Sequence, residues 1–473
     1  TTGAGGAGGA GGAGGAGQNG SAGGAFILSD ITGATVGGNI VLTAGAGGAG
    51  ADSAAQAGGA GAAGGAITIT DINGAITGDF TATAGAGADG GSGAGAGAAG
   101  AGAAGGAVIT NVTTAITGDV TLVAGAGGNG GAAGAGNGNG GAGGAGGSVS
   151  ATFDGNITGA VSLDDGADGT AGADGTGTAG ALGAGGTATL ALNGSAAQTI
   201  SGAVTAAADG EGAITLNNTA SAASDVIFSS AVGSSSAALK SLVVTAGNAE
   251  FDGDVFIDTI TSAASHNLNF DADVTAATAL TLNTGATTVA GNVTAGTLFN
   301  FAANGTLTFD GTGDQVITGD LTVTGTNGDG DITVSNTGGI ITFNDKIGAT
   351  GAGVGTITSN ASTTTVFKDT VFAGDLTVNG AVEFRGAVVV DNAGGGAGAV
   401  AVGNGATFTI GTGFASGATV ITADGAFSDT GAVTINMPAD LGGGSTLVLV
   451  SAASGTPGAT YTATDNGLFT YSV

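Results

Sequence analysis

GGAITITDINGAITGDFTATAGAG (Gly64–Gly87) contains both kinds of segment from which the first part of this chain is built. Ile67–Ile69 and Phe80–Ala82 alternate apolar residues with threonine, the two-residue period of a half-buried strand. The side chains then shrink to alanine and glycine. The same order opens at Gly23, Gly105 and Gly146, each 41 residues from its neighbour, and more loosely at Gly185. A fixed period of this size marks a repeat architecture whose units stack on one another. The expected fold class is therefore all-β: a parallel β-solenoid that carries glycine-rich inserts in its N-terminal part.

Composition narrows the function. Glycine makes up 107 of 473 residues, and 8% of residues are charged; about 7% and 25% are usual. Acids outnumber bases 34 to 4, and the four bases are Lys240, Lys346, Lys368 and Arg385. Such a surface repels nucleic acid and anionic lipid. It suits a cation-rich exterior, where repulsion between copies is screened. No apolar run approaches the ~18 residues of a membrane-spanning helix. The opening TTGAGG is not a signal segment, so an exported chain would already have lost its signal. With no cysteine there is no disulfide framework.

The inserts Ala44–Ala66, Ala84–Ala107 and Ala124–Gly147 keep glycine at a three-residue period, as residues 5–23 do. In the third insert Gly125, Gly128, Gly131 and Gly134 hold one phase, and Gly138, Gly141, Gly144 and Gly147 another. Three residues per turn is the period of the extended polyproline-II helix, which has no internal hydrogen bonds. Its amides must then bond to neighbouring helices or to water. A phase slip in mid-insert is what a turn between two antiparallel helices would leave. Each insert thus reads as a polyglycine-II-type hairpin. A flexible linker and silk-like packing of GAGAGA (Gly93–Ala98) are the alternatives.

From Thr187 the inserts stop, which divides the chain into a repeat region, 1–186, and a strand-rich region, 187–473. A signature of Gly or Ala, Asp or Asn, an apolar residue and usually Thr recurs at Gly253, Ala272, Gly291, Gly319 and Gly374, as at Gly78 and Gly118. The first three lie 19 residues apart, near the ~20 residues of one solenoid coil. Gly-Asp would supply corners with left-handed backbone. Only Phe26, Phe80, Phe153 and Phe228 of 18 phenylalanines precede residue 250, so the larger core is expected downstream. An immunoglobulin-like or jelly-roll stack of short strands is the competing architecture there.

VTAATALTLNTGATTVAGNVTAGTLFNF (Val274–Phe301) and ITGDLTVTGTNGDGDITV (Ile317–Val334) resemble the passenger regions of bacterial autotransporters and filamentous-haemagglutinin-type surface proteins, in the style of rickettsial outer-membrane autotransporters. The resemblance covers roughly 187–473 and rests on style, with no specific motif. It implies secretion through an outer membrane, a right-handed β-helix, and adhesion or surface coating. Two features depart from it: the chain ends at LFTYSV without a translocator barrel, and the inserts look more like the glycine-helix bundles of certain antifreeze proteins and phage tip adhesins.

Catalysis has little to work with. His266 is the single histidine and reads as a coil-corner residue. Asp252 and Asp254 read as turn residues rather than as an acid-base pair. The ligand that composition favours is calcium, which takes carboxylate and carbonyl oxygens on flexible backbone. Its candidate residues are Asp164, Asp165, Asp168 and Asp174 in DDGADGTAGADG, with Asp329 and Asp331 in NGDGD; solvated acidic turns are the plain alternative. GGAGADSAA (Gly47–Ala55) also fits a calcium nonapeptide, but it stands alone. The expected function is a non-enzymatic, extracellular structural protein that polymerises with itself into a filament, sheath or surface layer. The alternative is an adhesin or an ice- or glycan-binding surface protein with a cell-surface or glycan partner.

Overall fold

A computed structural model describes residues 16–33, 35–136, 138–220, 225–262, 266–360, 363–391, 397–437, 446–455 and 458–464. The stretch LFTYSV lies outside them. No helix occurs among the described residues. The chain forms two compact units, Thr1–Leu242 and Val243–Val473.

In the first unit, successive 41-residue repeats stack as coils. Phe26 pairs with Ile67, Ile67 with Val108, Val108 with Val149 and Val149 with Ala188, all in parallel. A second parallel ladder joins Ile40–Thr43, Phe80–Thr83, Val120–Val123, Val161–Asp164 and Val204–Ala206. Between them, single bridges link Val36, Ile76, Ile116, Ile157 and Ile200. The alternation explains the register. Ile67, Ile69, Phe80 and Ala82 point into the coil and are buried, while Thr68 and Thr81 stand outward. When the inserts stop, the same ladder continues with a shorter coil, Leu190 pairing with Ile214 and Leu192 with Leu216.

The second unit repeats this plan. Phe251 pairs with Phe270, Phe270 with Val289, Val289 with Phe309 and Phe309 with Val334. Coil length there runs from 17 residues (Val371 to Val388) to 33 (Val388 to Ile421). Among the described residues every pairing between strands is parallel, which excludes the jelly-roll and immunoglobulin-like arrangements. Nine of the twelve largest fully buried side chains lie here, among them Phe343, Phe367 and Phe384. Their rings stack at centroid distances of 5.3 and 5.7 Å.

The corner signature works differently from expectation. Among its glycines only Gly319 has a positive φ, 117°. Gly78, Gly118 and Gly291 are glycine because a Cβ there would overlap the coil below: Asn39, Asp79 and Ala272 respectively. The residue after each glycine holds the next coil. Oδ1 of Asn39 accepts the amide of Asp79 at 3.0 Å, and Asp79 accepts that of Asp119 at 3.1 Å. In the second unit Asp273 accepts the amide of Asn292 at 2.8 Å, and Asn292 that of Val316 at 2.8 Å. A single oxygen does the work, so Asp and Asn alternate freely. A large share of the acidic surplus is thus an axial spine of acceptors for corner amides that no strand pairs.

The inserts are hydrogen-bonded hairpins. In the first, Gly59, Ala62 and Gly65 donate to Ala51, Gly48 and Gly45 in descending order, the mark of antiparallel arms. Ser53 Oγ caps the tip by accepting the amides of Ala55 and Gln56. In the second, GAGAGA is the tip, with Gly95 at φ 59°. Outgoing arms bond to outgoing arms, as Gly47 to Ala86 and Gly50 to Asp89, both 2.9 Å. Returning arms bond to returning arms, as Gly61 to Ala101 at 2.9 Å and Gly64 to Ala104 at 3.1 Å. Donors recur every third residue, the bonding that a three-residue-per-turn extended helix requires. The result is two tiers of arms, one coil per arm.

Both units contain the same buried amide clasp. Gln198 Nε2 donates to Phe153 O at 2.9 Å and Gly155 O at 3.3 Å, and its Oε1 accepts from Asn218 at 2.8 Å. Gln315 Nε2 donates to Val289 O at 3.0 Å and Gly291 O at 2.8 Å, and accepts from Asn336 at 2.9 Å. All four side chains are at most 1% exposed. LNGSAAQTISGAVT (Leu192–Thr205) and FDGTGDQVITGDLT (Phe309–Thr322) therefore encode one module twice.

Candidate functional site at the closing edge of the glycine layer

The fourth outgoing arm is the last of its tier. Ala124, Gly127, Gly130 and Ala133 of the third arm donate to Asp164, Ala167, Thr170 and Ala173. One residue further on, Asp165, Asp168, Ala171 and Asp174 therefore stand where a fifth arm would pack. Earlier arms carry alanine, serine or glycine at these positions. The last returning arm breaks the rule in the same way: Leu182, 73% exposed, follows Gly61, Gly102 and Gly143 in register. Three carboxylates and a leucine thus end the layer, and charge at an open edge discourages further pairing.

Where the layer stops, a concavity of about 560 Å³ opens. Asp165, Asp168 and Gly185 wall one side, Glu211 of the next coil another, and Lys240 and Ser241 a third. Glu211 is placed by a tight turn between Gly210 and Gly212, with φ of 76° and 74°, and accepts the amide of Ala208 at 3.0 Å. Burial pushes the carboxyls of Asp164, Asp165 and Glu211 above the ordinary carboxylate range. Like charge adds to this, from Glu211 on Asp164 and from Asp165 on Glu211. Hydrogen bonding with Glu211, together with the charge of Lys240, works in the opposite direction for Asp165.

The calcium candidates are only partly brought together. Asp165 and Asp168 share the concavity, and Asp164 does not line it. Asp174 is exposed beside the hairpin tip and does not line it. Asp329 accepts the amide of Thr326 in its own turn, and Asp331 that of Thr356 in the next coil at 2.7 Å. Glu211 and Lys240 escaped the sequence reading because they lie a coil or more downstream. In the second unit Glu250, Asp252 and Asp271 each bring one carboxylate oxygen within 4.8 Å of the others. Their positions follow from the stacking of Phe251 on Phe270 at 4.9 Å. Asp254 accepts the amide of Asp273 at 3.3 Å, a turn role. His266 Nε2 lies 3.1 Å from Thr245 O, again a coil contact.

The raised carboxyls give a signed prediction. A raised folded-state pKa opposes folding at neutral pH, and this opposition fades as pH falls through the folded value and is gone below the ordinary value. Asp165→Asn should melt higher than wild type at pH 7, and the gap should close by about pH 4. A constant gap in melting temperature across that range would refute the assignment.

Comparison with family models, with curated proteins and with solved structures gives no match.

Proposed function

We propose that this chain is a structural protein working outside the cell, where it assembles with itself into a filament, sheath or surface layer and performs no catalysis. The observation that carries the reading is repetition: one set of contacts recurs from coil to coil in each unit, down to the Asp and Asn oxygens that hold the next corner. Chemistry of this kind makes length and stiffness. The concavity at Asp165 offers acids and a lysine, without an imidazole or thiol to act as nucleophile or base. Calcium enters the reading as an ion that bridges or screens Asp165, Asp168 and Glu211. Passenger-like export, as the coil style implies, would deliver the protein to that setting.

Electron microscopy of concentrated protein with calcium should show regular polymers. Monodisperse particles under those conditions would overturn the proposal.

One observation favours a second reading, an adhesive or an ice- or glycan-binding face. Thr288, Thr308, Thr333, Thr358 and Thr377 stack in register on five consecutive coils, each half-buried. Hydroxyls and methyls repeated at about 4.8 Å could order water or a sugar chain. In that case thermal hysteresis or glycan retention would be lost on Thr333→Asp.

A further inference from the structure

The two tiers of the glycine layer present different outer faces. On the returning tier, every residue whose carbonyl accepts from the preceding arm is exposed or half-buried. Ala22, Ala63, Ala104, Ala145 and Ala184 form one such row across five arms, linked by bonds such as Gly64 to Ala104 and Gly105 to Ala145. The rows three residues to either side hold only Ala, Ser, Thr and Asn. Segments 16–28, 57–70, 98–112, 139–153 and 178–192 contain no ionisable side chain. At the strand margin of this face Ile27 is 71% and Ile109 48% exposed. The outgoing tier carries Asp52 and Asp89 on its outer side and ends in Asp165, Asp168 and Asp174.

Five arms about 4.8 Å apart and ten residues long at about 3.1 Å each give roughly 700 Å² of flat, methyl-studded, charge-free surface. That exceeds the ~300–600 Å² of the largest apolar patch on a typical monomer and approaches the ~800 Å² per partner of a stable interface. The chain's formal charge is −30, so copies repel wherever carboxylates face each other. On this face they meet without any.

We infer that the alanine face of the returning tier is where two copies of this chain pair, back to back and related by a two-fold axis. The inference rests on the assembly reading and names the lateral contact within it. Pairing would bury Ile27 and Ile109 together with the alanine rows. An outward carboxylate in their middle would be desolvated without a partner.

The test is sedimentation of the full chain, wild type beside Ala104→Asp/Ala145→Asp, with Ala126→Asp on the outgoing tier as the control. Ala104 and Ala126 are exposed and Ala145 is half-buried, and unchanged melting would verify the fold; if the double variant melts lower, Ala104→Lys replaces it. Wild type and Ala126→Asp should sediment as pairs, and the alanine-face variant should associate at least about tenfold more weakly. A monomeric wild type, or pairing that survives the variant, overturns the inference. Electron microscopy separates this from failure of the assembly reading. Single-width polymers of wild type would sink lateral pairing alone, whereas pairs that never polymerise would sink the filament and leave this face standing.

Discussion

Gly128→Ala is expected to break the glycine layer, lowering stability by about 3 kcal/mol or more. Gly128 lies in the interior of the third outgoing arm. Its amide donates to Ala103 O at 2.8 Å, and its carbonyl accepts from Gly144 at 2.7 Å. A methyl group there would overlap the carbonyl carbon and oxygen of Ala88 in the neighbouring arm. The obstacle is backbone, which cannot change rotamer, so relief means separating two arms along their length. Each separated arm loses a run of amide bonds whose donors then lack partners. Ala126→Ser, two residues away on the exposed side, should stay within about 0.5 kcal/mol of wild type. Thermal melting with amide exchange at Gly131, Gly144 and Gly147 distinguishes the cases. If Gly128→Ala melts like wild type and those amides keep their protection, the arms are not in close lateral contact.

The same glycine spacing made the layer readable from sequence. A three-residue period with a mid-insert slip has few physical explanations, and a hairpin tip, as at Gly95 in the second insert, is one of them. The 41-residue period gave the coil, because a repeat that long with two alternating runs must bury its apolar faces against its own copies. What sequence could not supply was the identity of each neighbour. Asp165, Asp168 and Asp174 look like an ion-binding run until it is known that no further arm packs against them. The corner glycines look like left-handed turns until the coil below is in place. The composition changes at Thr187, and the first compact unit runs on to Leu242 with Leu190 and Leu192 continuing the same ladder after the inserts end. Gln198 and Gln315 sit among small polar residues, and nothing around them in the sequence singles them out. Their burial follows only from which carbonyls the coil underneath leaves without a partner.

Gln315→Glu is the sharpest test of that last point, with an expected loss of about 3–5 kcal/mol at neutral pH. The substitution keeps the size and shape of the side chain and removes only the amide donors. Val289 O and Gly291 O would then face a carboxylate oxygen in place of the N–H groups now 3.0 and 2.8 Å away. Asn336 would still donate to the other oxygen, so the packing would be preserved while two buried carbonyls lost their partners. Burial must push the new carboxyl's pKa upward. A raised folded-state value means that stability returns as pH falls through it, since the protonated acid again donates to one of the two carbonyls. Wild type has no group at this position to titrate. The variant should therefore regain part of its lost melting temperature in acid, relative to wild type at each pH, while Gln315→Leu, which never donates, should show no such recovery. Equal losses for Glu and Leu at every pH would mean that the site is held by volume alone. The same substitution at Gln198 should behave alike, because Phe153 O, Gly155 O and Asn218 reproduce the arrangement in the first unit.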